Sequence, residues 1–486
     1  MVSPGTKTET ISDSTALEDE KPDIACHENS LGGESPAIDD KKLLRRIDLH
    51  IVTWLAILYA FSLLDRTNIG SAKVAGMEVD LELTGNRYSI VSLMLFPTYI
   101  LLEVPSNMFI RRVSVRTYLA FFVFCWGVLA MCCGFVNDWK DLIAVRVLLG
   151  AFEGAFQRLI ILKPTCSYII SSWYKRYETH QRIAIWYMSG AFLNGFQGII
   201  SYALSLMEGV GGLRGWRWIF IIPGLVTAVL ALPVYRYVSE FPESAKWLKP
   251  HELRHIQERL HHDRGEVEEK MDRHRLFAAL SDWRCWALAL LLFWSTAGSY
   301  SLSFFLPSIL RGFGFSTALS QILVTPPMIL SVFCSVGTGL WADRVHIRSP
   351  FIVGHMVLVI VGIVLIGWGT NLGSRLVGVF LMTIGNNCTI PTIIAFLINN
   401  VPSSSKRQIA LPLQGGSAGL GGIAGALIFR TQDAPRYLFG LYLSIAFACC
   451  SILMTSALVF YFHRENRKVA EGGPAIDGIE GFRYTL

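Results

Sequence analysis

The sequence predicts an all-α membrane protein whose helices cross the bilayer twelve times, in two halves of six. Two observations carry this prediction. The chain of 486 residues is 52% hydrophobic and only 16% charged, whereas soluble domains contain about 25% charged residues. In addition, apolar runs of about 18 residues or more, long enough to cross a bilayer as a helix, recur along the whole sequence.

The polar segments divide the chain into five parts. Residues 1–41 are acidic and rich in serine, so we expect a disordered cytosolic tail rather than a secretory signal. The first six-helix half is predicted at 42–238 and the second at 284–464. Between them, 239–283 forms a cytosolic loop, and 465–486 forms a cytosolic C-terminal tail.

The spans themselves follow from hydropathy. We predict them at 48–66, 88–109, 116–136, 141–172, 183–206, 216–238, 284–306, 319–341, 350–369, 374–399, 408–429 and 437–462. In the central loop, Leu253, Ile256 and Leu260 recur at helical spacing, which predicts a surface amphipathic helix.

Lysine and arginine fix the orientation of the predicted helices. Basic clusters such as KKLLRR (41–46), RRVSVR (111–116) and HRENRK (463–468) fall on the side that the two termini share. Because positive loops face the cytosol, both termini are predicted to be cytosolic.

Several functional classes have no support in the sequence. The ten cysteines lie mostly within apolar runs and lack the spacing of a metal site. We found no nucleophile–base pair, no phosphate loop and no basic stripe with interleaved aromatics. The sequence therefore predicts neither an enzyme nor a nucleic-acid-binding protein, and no cofactor.

Motifs between the spans resemble those of the major facilitator superfamily. The segment GLWADRVHIRS (339–349) is similar to the loop G-x-L-a-D-R-x-G-R-R of that superfamily, with Asp343 and Arg344 at its acidic and basic positions. The equivalent loop of the first half has Asn107 where the superfamily has aspartate, followed by Arg111. The resemblance implies that these four residues control conformational change.

Seven further motifs, in order from about residue 42 to 464, resemble the fungal anion:cation symporters, a group that includes allantoate, nicotinate, pantothenate and biotin permeases. They are LDRTNIGSAKVAGMEVDLELTGNRYS (64–89), LLEVPSN (101–107), WYKRYE (173–178), GGLRGWRWIFII (211–222), FPESAKWL (241–248), FLPSILRGFGFS (305–316) and DAPRYLFG (433–440).

Four charged residues lie within the predicted spans and suit the transport of an anion with protons. Asp65 and Arg66 are expected near the outer end of the first span; Arg146 and Glu153 lie seven residues apart, on one face of the fourth. Arginine holds a carboxylate well, and an acid in the same cavity can carry a proton. The resemblance implies proton coupling and substrate binding for all four. The alternative is a purely structural role, with Asp65 and Arg146 forming an interhelical salt bridge.

Other polar residues within the spans are weaker candidates. They either line the cavity or hydrogen-bond between helices. They are Asn194, Gln197, Tyr300, Asn387 and Gln414.

The fourth span contains an anomaly. In the family that this sequence resembles, Pro, Tyr and Trp lie at fixed distances after the glutamate that corresponds to Glu153. Deleting RLIILK (158–163) restores those distances for Pro164, Tyr168 and Trp173. The six residues are either a splice-boundary error or a genuine insertion that bulges the helix; we favour the error.

The sequence therefore predicts a secondary transporter that moves a small organic anion, of vitamin or nitrogen-source size, together with protons. Its expected partners are that anion, protons and the bilayer, and we expect a functional monomer in the plasma membrane. One alternative is export of an acidic secondary metabolite. A second is a nutrient sensor that does not transport.

Overall fold

The computed structural model describes residues 39–101, 115–158, 173–174, 176–238, 245, 247–263, 280–401, 404–429, 433, 437–476 and 482–486. Within these residues the regular structure is helical, without strands. The predicted all-α class is therefore confirmed.

The helices of the first half and the central loop follow the hydropathy of the sequence closely. They are α1 (Asp40–His50), α2 (Val52–Ala72), α3 (Arg87–Leu93), α4 (Leu95–Leu101), α5 (Val115–Cys132), α6 (Trp139–Arg158), α7 (Arg176–Gly195), α8 (Gln197–Ser205), α9 (Gly215–Tyr237) and α10 (Pro250–Asp263). Helix α10 is the amphipathic helix predicted in the central loop, and its Ile256 is buried.

The helices of the second half are longer and less interrupted. They are α11 (Trp283–Gly312), α12 (Thr317–Ile322), α13 (Thr325–Val345), α14 (Ser349–Trp368), α15 (Leu372–Asn400), α16 (Ser404–Ile428) and α17 (Leu438–Ala470).

Each of the twelve predicted spans overlaps one or two of these helices. Seven helical segments of the described residues are long and apolar enough to cross a bilayer, at 40–80, 215–237, 283–312, 317–345, 349–368, 372–400 and 438–470. The count of twelve crossings stays a prediction, since parts of the predicted second and fourth spans lie outside the described residues and charged residues interrupt the apolar runs of α6 and α7.

The first span is longer than the sequence predicted. We placed its end at residue 66, but α2 runs to Ala72 and continues through a π-helical turn, Lys73–Met77, to Asp80. Arg66 therefore lies at the midpoint of this helical run, and its expected position near the outer end is wrong. The charged side chains of Asp65 and Arg66 do not end the helix, because residues of other helices contact and bury them.

The same helix pairings occur in both halves. In the first half α2 packs on α7, α5 on α9, and α4 and α5 on α6; in the second half α11 packs on α16, α14 on α17, and α13 and α14 on α15. The order of the partners along the chain is identical. This correspondence is what an internal repeat produces. The interface between the halves is formed by α2–α11, α4–α16, α7–α13, α3–α16 and α8–α12, among other contacts.

Three hydrogen bonds join the two halves at the end of the bundle where α2 finishes. Tyr88 Oη donates to the Phe304 carbonyl over 2.8 Å, Arg311 Nη1 to the Val74 carbonyl over 3.2 Å, and Gln321 Nε2 to the Ser71 carbonyl over 3.1 Å. We call these three bonds the latch. Glycines let the backbones approach there, because a Cβ at Gly198 would lie 2.1 Å from the Gln321 carbonyl oxygen.

Part of the segment that we predicted as a C-terminal tail packs against the second half. Helix α17 extends to Ala470, and Phe482–Leu486 folds back onto the second half. The Tyr484 ring stacks on Phe462 with centroids 4.3 Å apart, and the Thr485 amide donates to Asn400 over 2.9 Å. These contacts cap the ends of α15 and α17.

A pair of glycines in α14 tests the packing of the second half. A Cβ at Gly362 would lie 2.6 Å from the Met382 nitrogen of α15, whereas a Cβ at Gly354 meets nothing within 4 Å. We expect Gly362→Ala to cost about 1–3 kcal/mol through overpacking. Gly354→Ala, the matched control in the same helix, should be neutral or stabilising by about 0.5–1 kcal/mol.

The measurement is thermal unfolding of the purified protein in detergent. Equal melting temperatures for the two variants would contradict the close packing of α14 on α15.

Candidate functional site

The centre of the bundle contains an ion pair between the first and fourth predicted spans. Arg66 Nε on α2 donates to Glu153 Oε1 on α6 over 2.6 Å, and Ser62 Oγ donates to the same oxygen over 2.6 Å. Arg66 is 5% exposed and Glu153 is fully buried. Ser62 lies one helical turn before Arg66, so one face of α2 supplies both donors.

Arg66 also contacts the second half. Its Nη1 donates to the Tyr300 hydroxyl of α11 over 2.8 Å, and its guanidinium lies 4.8 Å from the centroid of the Tyr99 ring. Phe96 meets Tyr300 edge to face at 5.1 Å. The cation at the centre of α2 thus touches one carboxylate of its own half and one hydroxyl of the other half.

Asp65 and Arg146 occupy the same buried region but do not form the salt bridge that was the structural alternative. The ion pair formed here is Arg66–Glu153, and an Asp65–Arg146 pair is not among those made by the described residues. Arg146, 2% exposed, stacks 5.6 Å from the Phe220 ring, and Asp65, 4% exposed, has Trp126, Arg146 and Glu153 as neighbours.

Several buried atoms of these residues lack a hydrogen-bond partner among the described parts of the chain. They are Nε and Nη2 of Arg146, Oδ2 of Asp65 and Oε2 of Glu153. Nε and Nη2 point the same way from a planar guanidinium, which is the geometry that binds a carboxylate through two parallel hydrogen bonds. A donor buried without a partner costs about 1–3 kcal/mol, and more when charged, so a ligand carboxylate here would relieve that cost.

Both arginines line one internal cavity. This cavity is bordered by Arg66 and Arg146 together with Ser92, Phe96 and Phe304, and it is too narrow to hold a water molecule. An anion could therefore reach both arginines only after the helices have moved apart.

The charges of the site balance. Two carboxylates, Asp65 and Glu153, face two guanidiniums, Arg66 and Arg146, all nearly inaccessible to solvent. An uncompensated charge in the interior of a membrane protein costs several kcal/mol. Adding a monoanion alone would unbalance this cluster, whereas adding it with a proton would not.

The weaker candidates differ in position. Tyr300 joins the site through Arg66. Asn194 accepts from Thr67 Oγ1 over 3.2 Å, and Gln197 donates to Ser71 Oγ over 2.9 Å, so both tie α7 and α8 to α2. Asn387 accepts from Ser299 and donates to Ser331 over 3.0 Å, which links α15 to α11 and α13.

The remaining predicted residues lie away from the site or outside the described residues. Gln414 donates to the Leu288 carbonyl over 3.3 Å and so ties α16 to α11. Asp343 pairs with Arg348 at 2.5 Å at an exposed helix end, and Arg344 is exposed beside it. Asn107, Arg111 and residues 159–172 lie outside the described residues, as does the Arg158 side chain; helix α6 itself reaches Arg158.

Sequence reasoning missed three contributors to the site. Ser62 bonds Glu153, Tyr99 covers Arg66, and Trp126 lies beside Asp65. For Ser62 a signal existed, because a serine four residues before a buried arginine shares its helix face. Tyr99 and Trp126 were indistinguishable from ordinary apolar span residues, since only tertiary packing brings them to the charges.

Known proteins resemble this chain in sequence and in fold. The sequence model of the Major Facilitator Superfamily matches residues 55–411. A high-affinity nicotinic acid transporter of Saccharomyces cerevisiae is 29% identical over 431 residues, covering 88% of this chain and 79% of that protein. The MFS-type transporter cnsO of Penicillium expansum is 29% identical over 461 residues, covering 92% and 87%.

Among solved structures, an inward-facing, unoccupied bacterial homologue of the human lysosomal transporter Spinster superposes with a TM-score of 0.62. The two sequences are 14% identical, and the superposition covers 84% of this chain and 94% of the homologue. At that identity the likeness concerns the fold alone.

The Nε and Nη2 donors of Arg146, which lack a partner among the described residues, lead to a specific prediction. In Arg146→Lys a point charge replaces the paired donors, so we expect carboxylate affinity to fall about tenfold or more, equivalent to about 1.4 kcal/mol. Binding of labelled nicotinate, pantothenate, biotin and allantoate to the purified protein measures it. Arg217→Lys, which alters a partly exposed arginine bonded to the Gly134 carbonyl, is the control. Unchanged affinity in Arg146→Lys would remove Arg146 from the binding site.

Proposed function

The chain belongs to the major facilitator superfamily, and from this premise we propose that it is a proton-coupled symporter of a small organic monocarboxylate. Its fold and relatives make it a multi-pass membrane transporter and not an enzyme. The observation that carries the proposal is the buried Arg66–Glu153 ion pair, with its link to Tyr300 of the opposite half.

The balance of buried charge favours symport over exchange. A carboxylate entering the cavity brings one negative charge to a cluster of two acids and two bases. If Glu153 takes up a proton at the same time, the sum of the charges is unchanged. Loading both ligands is then more favourable than loading either alone, which is positive coupling between them. A cationic substrate would instead compete with the proton, as in an antiporter.

Glu153 is suited to hold the proton. Its Oε1 accepts from Ser62 and Arg66, while Oε2 has no hydrogen-bond partner among the described residues. A proton on Oε2 would remove the negative charge that holds Arg66. The freed guanidinium could then join Arg146 in binding the carboxylate, because both border the same cavity. The carboxylate of Asp65 would continue to balance the positive charge of Arg146.

The Tyr300 contact offers a route from this chemistry to movement. Arg66 and Tyr300 belong to opposite halves, and their hydrogen bond is 2.8 Å long. A shift of Arg66 toward a substrate would alter or break that bond. Rocking of one half against the other around a midplane site is the usual form of transport in this fold. With cytosolic termini, the latch lies at the outer end, so the site would be closed on the outer side in this conformation.

Two features support a monocarboxylate as the substrate. Among the described residues, the cavity is bordered by two arginines, Arg66 and Arg146, and by no carboxylate. The S. cerevisiae relative is named for nicotinic acid, itself a monocarboxylate. Uptake of labelled nicotinate, pantothenate, biotin and allantoate at two external pH values, in cells that lack their own permeases, tests the proposal. Faster uptake at the acidic pH is expected; efflux without uptake would favour the exporter.

The proton role of Glu153 can be separated from substrate binding. Glu153→Gln keeps the shape and the acceptor for Arg66 but cannot titrate. We expect it to abolish uphill accumulation while exchange of labelled for unlabelled substrate remains measurable. Glu258→Gln, at an exposed position on α10, should accumulate substrate like the wild type. Wild-type accumulation ratios in Glu153→Gln would assign the proton to another group.

A further inference from the structure

A second buried cation, just beyond the end of α2, has no part in the mechanism above. Lys73 begins the π-helical turn beyond α2 and is 3% exposed. Its Nζ lies 3.5 Å from Glu78 Oε1, 4.3 Å from the centroid of the Tyr88 ring and 5.6 Å from that of Phe305. An ammonium among aromatic rings gains cation–π attraction, about 2 kcal/mol when desolvated.

The surroundings of Lys73 repeat those of Arg66. Seven residues, about two helical turns or 10 Å, separate the two cations along one face of the helical run. Each lies over a tyrosine of the α3–α4 segment, Tyr88 for Lys73 and Tyr99 for Arg66. Each also meets an aromatic side chain of α11, Phe305 or Tyr300.

The cavity that Arg66 borders continues along α2 toward Lys73 as far as Ile69. Arg66 and Ile69 border it from α2, and Phe304 borders it from α11. Lys73 follows Ile69 by one turn, and Phe305 follows Phe304 directly. The cation therefore stands at the latch end of the cavity, where Tyr88 also donates to the Phe304 carbonyl.

The two halves share the enclosure of Lys73. Tyr88 and Glu78 come from its own half, whereas Phe305 comes from the other. Separation of the halves at the latch would withdraw Phe305 and expose the ammonium toward the entrance. Glu78 has a side chain 38% exposed, so it can turn outward when another carboxylate approaches, and that exchange would leave the local charge unchanged.

We propose that Lys73 is an outer carboxylate-binding station, which receives the substrate anion when the latch opens and passes it along α2 to the arginine site. The inference rests on the proposed function, because it supposes an anion that enters from this end. The proposed ligand is a monocarboxylate. An ammonium supplies up to three donors but lacks the paired, planar donors of a guanidinium, so it suits transient binding of a carboxylate better than the specific binding at the arginine site.

Uptake kinetics of Lys73 variants test the station. The probe is whichever of labelled nicotinate, pantothenate, biotin or allantoate the wild type accumulates best. With Lys73→Met we expect the apparent KM for the external anion to rise about tenfold, with Vmax within about twofold. Lys73→Arg keeps the charge and should stay within about threefold of the wild-type KM. Lys140→Met removes an exposed cation at the same end and is the control for general surface charge.

Glu78→Gln separates a binding role from a structural ion pair. If Lys73 binds substrate, removing its competitor should leave the KM unchanged or lower. If the Lys73–Glu78 pair only stabilises the turn, Glu78→Gln should reproduce the defect of Lys73→Met. That result, or an unchanged KM in Lys73→Met, would overturn the station while leaving the symporter proposal intact. Absence of uptake by the wild type would contradict the proposed function and the station with it. The amount of folded protein of each variant, measured by size-exclusion chromatography of a fluorescent fusion, corrects for folding losses.

Discussion

The ion pair between Arg66 and Glu153 is the constraint on which the centre of the molecule depends. Two full charges are buried in the middle of an otherwise apolar bundle, and removing one partner of such a pair costs about 3–5 kcal/mol. The pair therefore holds α2 against α6 in one register. Ser62, Tyr99 and Tyr300 then take positions that satisfy the remaining donors and cover the guanidinium. The transport chemistry that we propose uses these same contacts.

The join between the halves is uneven along the bundle. At the end where α2 finishes, three hydrogen bonds run from side chains to backbone carbonyls, and glycines allow close backbone contact. At the centre the halves are joined by the hydrogen bond from Arg66 to Tyr300 and by the contact of the Phe96 and Tyr300 rings. The Arg66–Tyr300 bond depends on the charge of Glu153, which a proton can remove, whereas the acceptors of the latch bonds are backbone carbonyls that do not titrate. This contrast gives a physical basis for control of the latch by events at the centre.

The sequence was sufficient for the class of fold and for the identity of the four central charges, because long apolar runs and isolated charges within them are strong signals. The sequence could not predict which of these four charged residues pair with each other. Asp65 and Arg146 were the expected partners in the structural alternative, yet Arg66 and Glu153 form the bond, since pairing depends on how α2 rotates against α6. The end of α2 was misjudged for a related reason: hydropathy alone treats a charge as the end of a span, although a charge that has partners does not end it.

The central claim is that the site takes up an anion only together with a proton, so that its charge stays balanced. Proteoliposomes that contain the purified chain test this directly, with a labelled monocarboxylate as substrate. Accumulation should follow an imposed pH gradient, alkaline inside, and should not respond to a potassium–valinomycin membrane potential of either sign at equal pH. Accumulation driven by the potential in the absence of a pH gradient would contradict the account, because it would mean that net charge crosses with the substrate.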